Sequence, residues 1–67
     1  METKLKKMRT SIGMTQAELS DKSGVSLRTI QAYEQGLKDI NKAQVLIVIR
    51  LAQALGCDIY KIVNMEK

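Results

Sequence analysis

Arg28 and Gln31 stand three residues apart in the stretch SGVSLRTIQAYEQG, residues 23–36. On a helix that spacing puts both on one face. Arginine bonds bidentately to the O6/N7 edge of guanine, and glutamine does the same to the N6/N7 edge of adenine. Leu27 and Ala32 lie beside them and offer the apolar contact that suits a thymine methyl. Gln35 continues the same outward set. The chemistry these types could perform together is the reading of nucleotide edges. The alternative is an ordinary solvated helix face, which lysine and glutamate would serve as well.

Most other chemistry is excluded by what the chain lacks. It has no histidine and one cysteine, so neither an imidazole-activated nucleophile nor a multi-ligand metal site is expected. No enzyme activity, cofactor or metal is therefore expected. Cys57 reads as a small hydrophobe near a turn, and a lone cysteine suits a reducing cytoplasm. The longest apolar run, VLIVI at 45–49, falls far short of the ~20 residues of a membrane span. The opening METKLKKMRT has no apolar centre of the signal-peptide kind. The net charge is +4, and Lys4, Lys6, Lys7 and Arg9 crowd the first twelve residues against Glu2 alone. That balance permits a polyanionic partner without requiring one.

At 67 residues the chain makes a single domain, 1–67, with a thin core. A hydrophobic fraction of 45% argues against disorder. With two tyrosines, no phenylalanine and no tryptophan, the core must be built from Leu, Ile, Val, Met and Ala.

Five helical segments can be read. The first carries Leu5, Met8 and Ile12 on one stripe and stops at Gly13. The second opens with Thr15 and Glu18 at capping-box spacing and closes near Ser23 before Gly24. Ser26 caps a third, which runs to about Gln35 with Ile30, Tyr33 and Leu37 facing inward. A fourth is expected from Asn41, with Gln44 completing a second box, to Leu55 before Gly56. Its inward stripe is read as Val45, Val48, Ile49, Ala52 and Leu55. A fifth starts at Asp58 and carries Ile59, Ile62 and Val63. Only SGVS separates the second helix from the third, so the pair meets at a steep angle with Val25 pinning the corner. This is a helix-turn-helix arrangement, and its second helix suits the major groove of DNA.

The run MTQAELSDKSGVSLRTIQAYEQG followed by RLAQALG resembles the phage repressor and Cro-like helix-turn-helix family, also called xenobiotic-response-element-type transcriptional regulators. Thr-Gln opening one helix, Gly-Val-Ser at the turn, Tyr-Glu-x-Gly closing the next and Leu-Ala-x-Ala-Leu-Gly later are jointly specific. The resemblance implies an all-α, compact five-helix bundle of the lambda-repressor-like kind, with its helix-turn-helix core at about 15–36 and its recognition helix at 27–35. It also implies a sequence-specific, repressor-like regulator of bacterial or phage type that binds double-stranded DNA. By the same resemblance Leu27, Arg28, Gln31 and Ala32 would contact bases. Gln16, Thr29, Lys38, Asn41 and Lys42 would meet the DNA backbone, and Gln16 would also brace the recognition helix. Arg9 and Glu34 would form a structural ion pair. Ser20 and Ser23 depart from the alanine and leucine common in the family, which leaves the second helix less tightly held. Leu27 departs from the usual polar residue and removes hydrogen-bond readout at that point.

The fourth segment is apolar nearly all round, because Leu46, Ile47 and Leu51 widen its stripe. Such a helix needs cover on more than one side. A homodimer through Ile47, Leu51, Tyr60 and Val63 would supply it, and would place two recognition helices on an inverted-repeat operator. The alternative function is a protein-interaction module, such as an antitoxin gripping a toxin through the fourth and fifth helices. An antirepressor is the other partner protein such a surface could take.

Overall fold

The computed structural model describes residues 2–64. Among the described residues every regular element is a helix, and there is no strand. Helices α1 (Lys4–Ser11), α2 (Gln16–Ser23) and α3 (Leu27–Glu34) are followed by a 3-10 turn, η1 (Ile40–Lys42). Helix α4 (Val45–Leu55) and a second 3-10 turn, η2 (Ile59–Lys61), complete the chain. Helix α2 packs against both α3 and α4, while α1 packs on α3 and η2. Leu5, Leu19, Ile30, Leu51 and Ile62 are the most deeply buried side chains, one from each α-helix and one from the residue closing η2.

The first three helices begin where side-chain chemistry dictates. Each of Thr3, Thr15 and Ser26 accepts a hydrogen bond from the backbone three residues on. At α2 the exchange is reciprocal: Glu18 N–H donates to Thr15 Oγ1 at 3.1 Å, and Thr15 N–H donates to Glu18 Oε1 at 2.9 Å. That backbone bond holds the Glu18 carboxyl below its ordinary range. An eight-residue helix is too short to persist without such help. Thr15→Ala should therefore lower stability by about 1 kcal/mol, a thermal midpoint shift of roughly 4–8 °C in a domain of this size. Melting followed by far-ultraviolet circular dichroism checks this, and an unchanged midpoint would show that tertiary packing alone holds α2.

The five-helix expectation is corrected to four α-helices. Asp58 does cap, accepting from Tyr60 N–H at 3.1 Å, but within the described residues the segment makes one 3-10 turn. That single turn already buries Ile62 and Val63. Asn64 N–H then donates to Asn41 Oδ1 at 2.8 Å, which draws the backbone away from a further helical turn. The start of α4 also moves. Asn41 lies in η1, capped by Asp39, and Gln44 stands at the α4 N-cap with no side-chain bond. Ile40 drops into the core there, and extended Ala43 separates the two elements.

Four apolar residues expected inside are exposed. Leu37 is 76% exposed because α3 closes early. Gly36 takes φ +78°, and the N–H groups of Leu37 and Lys38 both donate to Ala32 O, at 2.9 and 3.2 Å. Ile12, beyond the last turn of α1, is also exposed. Val45 and Ile49 face outward because α4 buries Val48, Leu51, Ala52 and Leu55 instead.

Candidate nucleic-acid interface

Three residues, Gly24, Val25 and Ser26, join α2 to α3. Gly24 takes φ +73°, the left-handed region that glycine enters without steric cost. Val25 is buried, so its backbone groups need partners, and two serines provide them. Val25 N–H donates to Ser23 Oγ at 3.1 Å, and Ser20 Oγ donates to Val25 O at 2.7 Å. The expectation that these serines loosen α2 is therefore corrected: they brace the corner that sets the angle of α3. The signal was present in the sequence as two hydroxyls three apart before a glycine, since serine readily bonds nearby backbone.

The inner side of α3 is anchored by Ile30, Tyr33 and Glu34. Glu34 joins three elements. Arg9 Nε donates to its Oε2 at 2.6 Å and Arg9 Nη2 to its Oε1 at 2.8 Å. Gln16 Nε2 donates to the same Oε1 at 3.0 Å. Arg9 Nη1 adds a bond to Met14 O at 2.8 Å. The pair is nearly dry, with side chains 10% and 3% exposed. Burial opposes ionisation of Glu34, but the hydrogen bonds from Arg9 and Gln16, with the nearby positive charge of Arg9, outweigh it and hold the carboxyl below its ordinary range. The hydrogen bond to Glu34 raises Arg9 in turn. This hub clamps α3 to α1 and to the start of α2.

The outer side of α3 carries Leu27, Arg28 and Gln35 in the open, with Thr29, Gln31 and Ala32 half-exposed. Among the described residues no side-chain partner engages the Arg28 guanidinium or the Gln31 amide. The Thr29 hydroxyl lies 2.7 Å from Ser26 Oγ, so it serves the N-cap. Past α3, the chain brings Lys38 and Lys42 to one shallow depression beside Tyr33, with Asp39 between them in sequence. Asn41 is exposed, and its Oδ1 is occupied by Asn64 N–H.

The expected dimer residues do not form one surface. Leu51 is 0% and Val63 2% exposed, both inside the core, while Ile47 and Tyr60 are half-buried. The reason is that the fold uses Leu51 against the other helices, so it is unavailable to a partner. Among the described residues no helix is long and apolar enough to cross a membrane.

A family model described as Helix-turn-helix matches residues 5–62. Among solved structures, the chain is similar to the restriction-modification controller protein C.AhdI from Aeromonas hydrophila, with a TM-score of 0.77 and 24% identity. That match covers 87% of this chain and 83% of the other; at such identity it speaks for the fold. The braced corner, the exposed polar face of α3 and the extent of the family match agree: the chain belongs to the Cro/C1-type helix-turn-helix family of DNA-binding transcriptional regulators.

Proposed function

We propose that the protein is a sequence-specific, repressor-like regulator that lays α3 in the major groove and binds an inverted-repeat operator as a dimer. The observation that carries this is the two-sidedness of α3. Its inner side is locked by Ile30, Tyr33 and the Glu34 hub, while Arg28 and Gln31 project from a helix that cannot easily tilt. A rigid helix keeps the side chains in register with base edges and limits the entropy lost on binding.

In this reading Arg28 reads guanine, Gln31 reads adenine, and Leu27 and Ala32 meet thymine methyls. Lys38, Asn41 and Lys42 clamp the phosphate backbone, with Asn41 acting through its amide N–H groups because its oxygen is occupied. Gln16 braces α3 through Glu34 and leaves its own oxygen free. Thr29 lies at the start of α3, where its own amide is taken by Ser26 and the two preceding amides of the helix N-terminus favour a phosphate. Binding needs no chemical step: occupancy of the operator excludes polymerase by volume, and the place of action is the cytoplasm. Nothing in the geometry or the family match favours the antitoxin reading, which rested on the apolar fourth and fifth helices.

Selection of bound duplexes from a random DNA pool tests the proposal. The expected product is a palindromic motif whose half-sites lie about 10 base pairs apart, one helical turn. An unenriched pool would remove sequence-specific binding, and a single asymmetric half-site would remove the dimer.

A further inference from the structure

A pocket of about 200 Å³ opens where α1, α3, η1 and the residues after η2 meet. Leu5 and Ile62, each 1% exposed, form part of its floor. Tyr33 lines it and is the residue the fold leaves unfinished. It is 7% exposed, yet among the described residues its hydroxyl has no hydrogen-bond partner. A tyrosine buried to that extent usually bonds through its hydroxyl. No fully enclosed side-chain oxygen or nitrogen among the described residues lacks a partner, so this hydroxyl is open to solvent. A ligand can therefore reach it.

The other polar groups around the pocket are mostly donors. Lys4 Nζ gives one N–H to Tyr60 O at 2.8 Å, which fixes the ammonium at the rim and leaves two more. Thr3 Oγ1 accepts from Lys6 N–H at 3.2 Å and keeps its own proton to donate. Lys38 makes no ion pair among the described residues. Against them stands one carboxylate, Asp39, which already accepts from Asn41 N–H at 2.9 Å. Two lysines against one aspartate make the rim net positive.

We propose that this pocket binds a small organic carboxylate, its charged end among Lys4, Lys38 and the Tyr33 hydroxyl and its apolar body on Leu5 and Ile62. The apolar floor is what favours an organic acid over an inorganic anion. The volume lies below the roughly 300 Å³ at which drug-sized sites begin. The occupant is therefore a fragment of about ten non-hydrogen atoms or fewer, held at roughly millimolar strength.

The regulatory consequence rests on the DNA-binding reading above. Tyr33, Lys38 and Asp39 line both this pocket and the shallow depression that reaches Lys42, so an occupant lies against the proposed phosphate clamp. Lys38 drawn to a bound acid is lost to the duplex. Acid and operator then each weaken the other's binding by the same factor. The outward side chains of α3 stay free, because none of them lines the pocket.

Benzoate is the probe, with benzamide as its neutral counterpart and inorganic phosphate as an anion without an apolar body. In amide-resolved NMR at constant ionic strength, benzoate should shift Gly36, Lys38 and Asn64 saturably, and the other two should bind about tenfold more weakly. Tyr33→Phe, which keeps the ring, and Lys4→Met should each weaken benzoate by about 3- to 10-fold, with far-ultraviolet circular dichroism reporting the fold. Saturating benzoate should lower operator affinity by the same factor as Lys38→Ala, relative to an equal concentration of sodium chloride, and should have no effect on the Lys38→Ala protein. No saturable shift at these amides, either control binding as tightly as benzoate, or folded variants that both bind it unchanged overturns the site. Benzoate bound with operator affinity unaltered supports the pocket and overturns its coupling to Lys38. Benzoate bound by a protein that binds no DNA supports the pocket and overturns the DNA reading instead.

Discussion

Arg9→Ala should lower the unfolding free energy by about 3–5 kcal/mol, the usual cost of stranding one member of a buried ion pair. A chain of this length holds roughly 3–10 kcal/mol in total, so the variant should be largely unfolded or close to it at 37 °C. The loss is large because Glu34 is 3% exposed and accepts two of its three hydrogen bonds from Arg9. Without the guanidinium, only Gln16 remains to support a carboxylate that burial disfavours. Urea unfolding followed by circular dichroism is the measurement, as the chain has no tryptophan. Arg9→Met with Glu34→Leu should recover much of the loss, because an apolar pair of similar volume carries no desolvation penalty.

The pH dependence has a definite sign. In the folded wild type the Glu34 carboxyl lies below its ordinary range, so its contribution is present above the unfolded value near about 4.3 and disappears as pH falls through the folded one. In Arg9→Ala only the Gln16 bond and the charge of Lys6 still oppose burial, so the folded value moves up from its wild-type position. The variant therefore loses less than the wild type when Glu34 is protonated. The gap in stability between the two proteins should therefore narrow from pH 7 to pH 4. A constant gap would mean that lost packing, and not the charge of Glu34, is what the substitution exposes.

Arg28→Ala should weaken binding to the selected operator and relax the preference at one base pair in each half-site. A bidentate arginine contact discriminates by about 1–3 kcal/mol, which is roughly 5- to 150-fold per half-site. Lys38→Ala should instead weaken binding to all sequences alike and make the slope of log affinity against log salt shallower by about one. Both side chains are exposed, so thermal midpoints should stay close to wild type, which separates these effects from misfolding. Titrations of operator and scrambled duplexes at several salt concentrations distinguish the two variants. Identical behaviour would sink the division between base reading on α3 and backbone clamping on the following loop.

What could be read from the sequence were interactions that act over three or four residues. Thr15 with Glu18, Ser26 before α3, and Gly24, Gly36 and Gly56 at helix ends each act on backbone a turn away. Their residue types therefore announce the helix boundaries, the short corner and the outward set on α3. The Arg9–Glu34 pair, 25 positions apart, was legible only through the resemblance to a family.

The tertiary structure decided the remainder. In the run from Val45 to Leu51 every residue but Arg50 is apolar, so its periodicity could not say whether Val45 and Ile49 or Leu51 face the core. The shape of the surface offered by α2 and η2 chose Leu51. Asn41 looked like a helix cap until Asn64, 23 positions away, was found to use its oxygen, and Ser20 and Ser23 looked like weak packing until the buried Val25 backbone was seen to need them. Local capping is encoded where it acts, whereas the side of an all-round apolar helix that is buried depends on partners distant in sequence, and only the assembled fold supplies them.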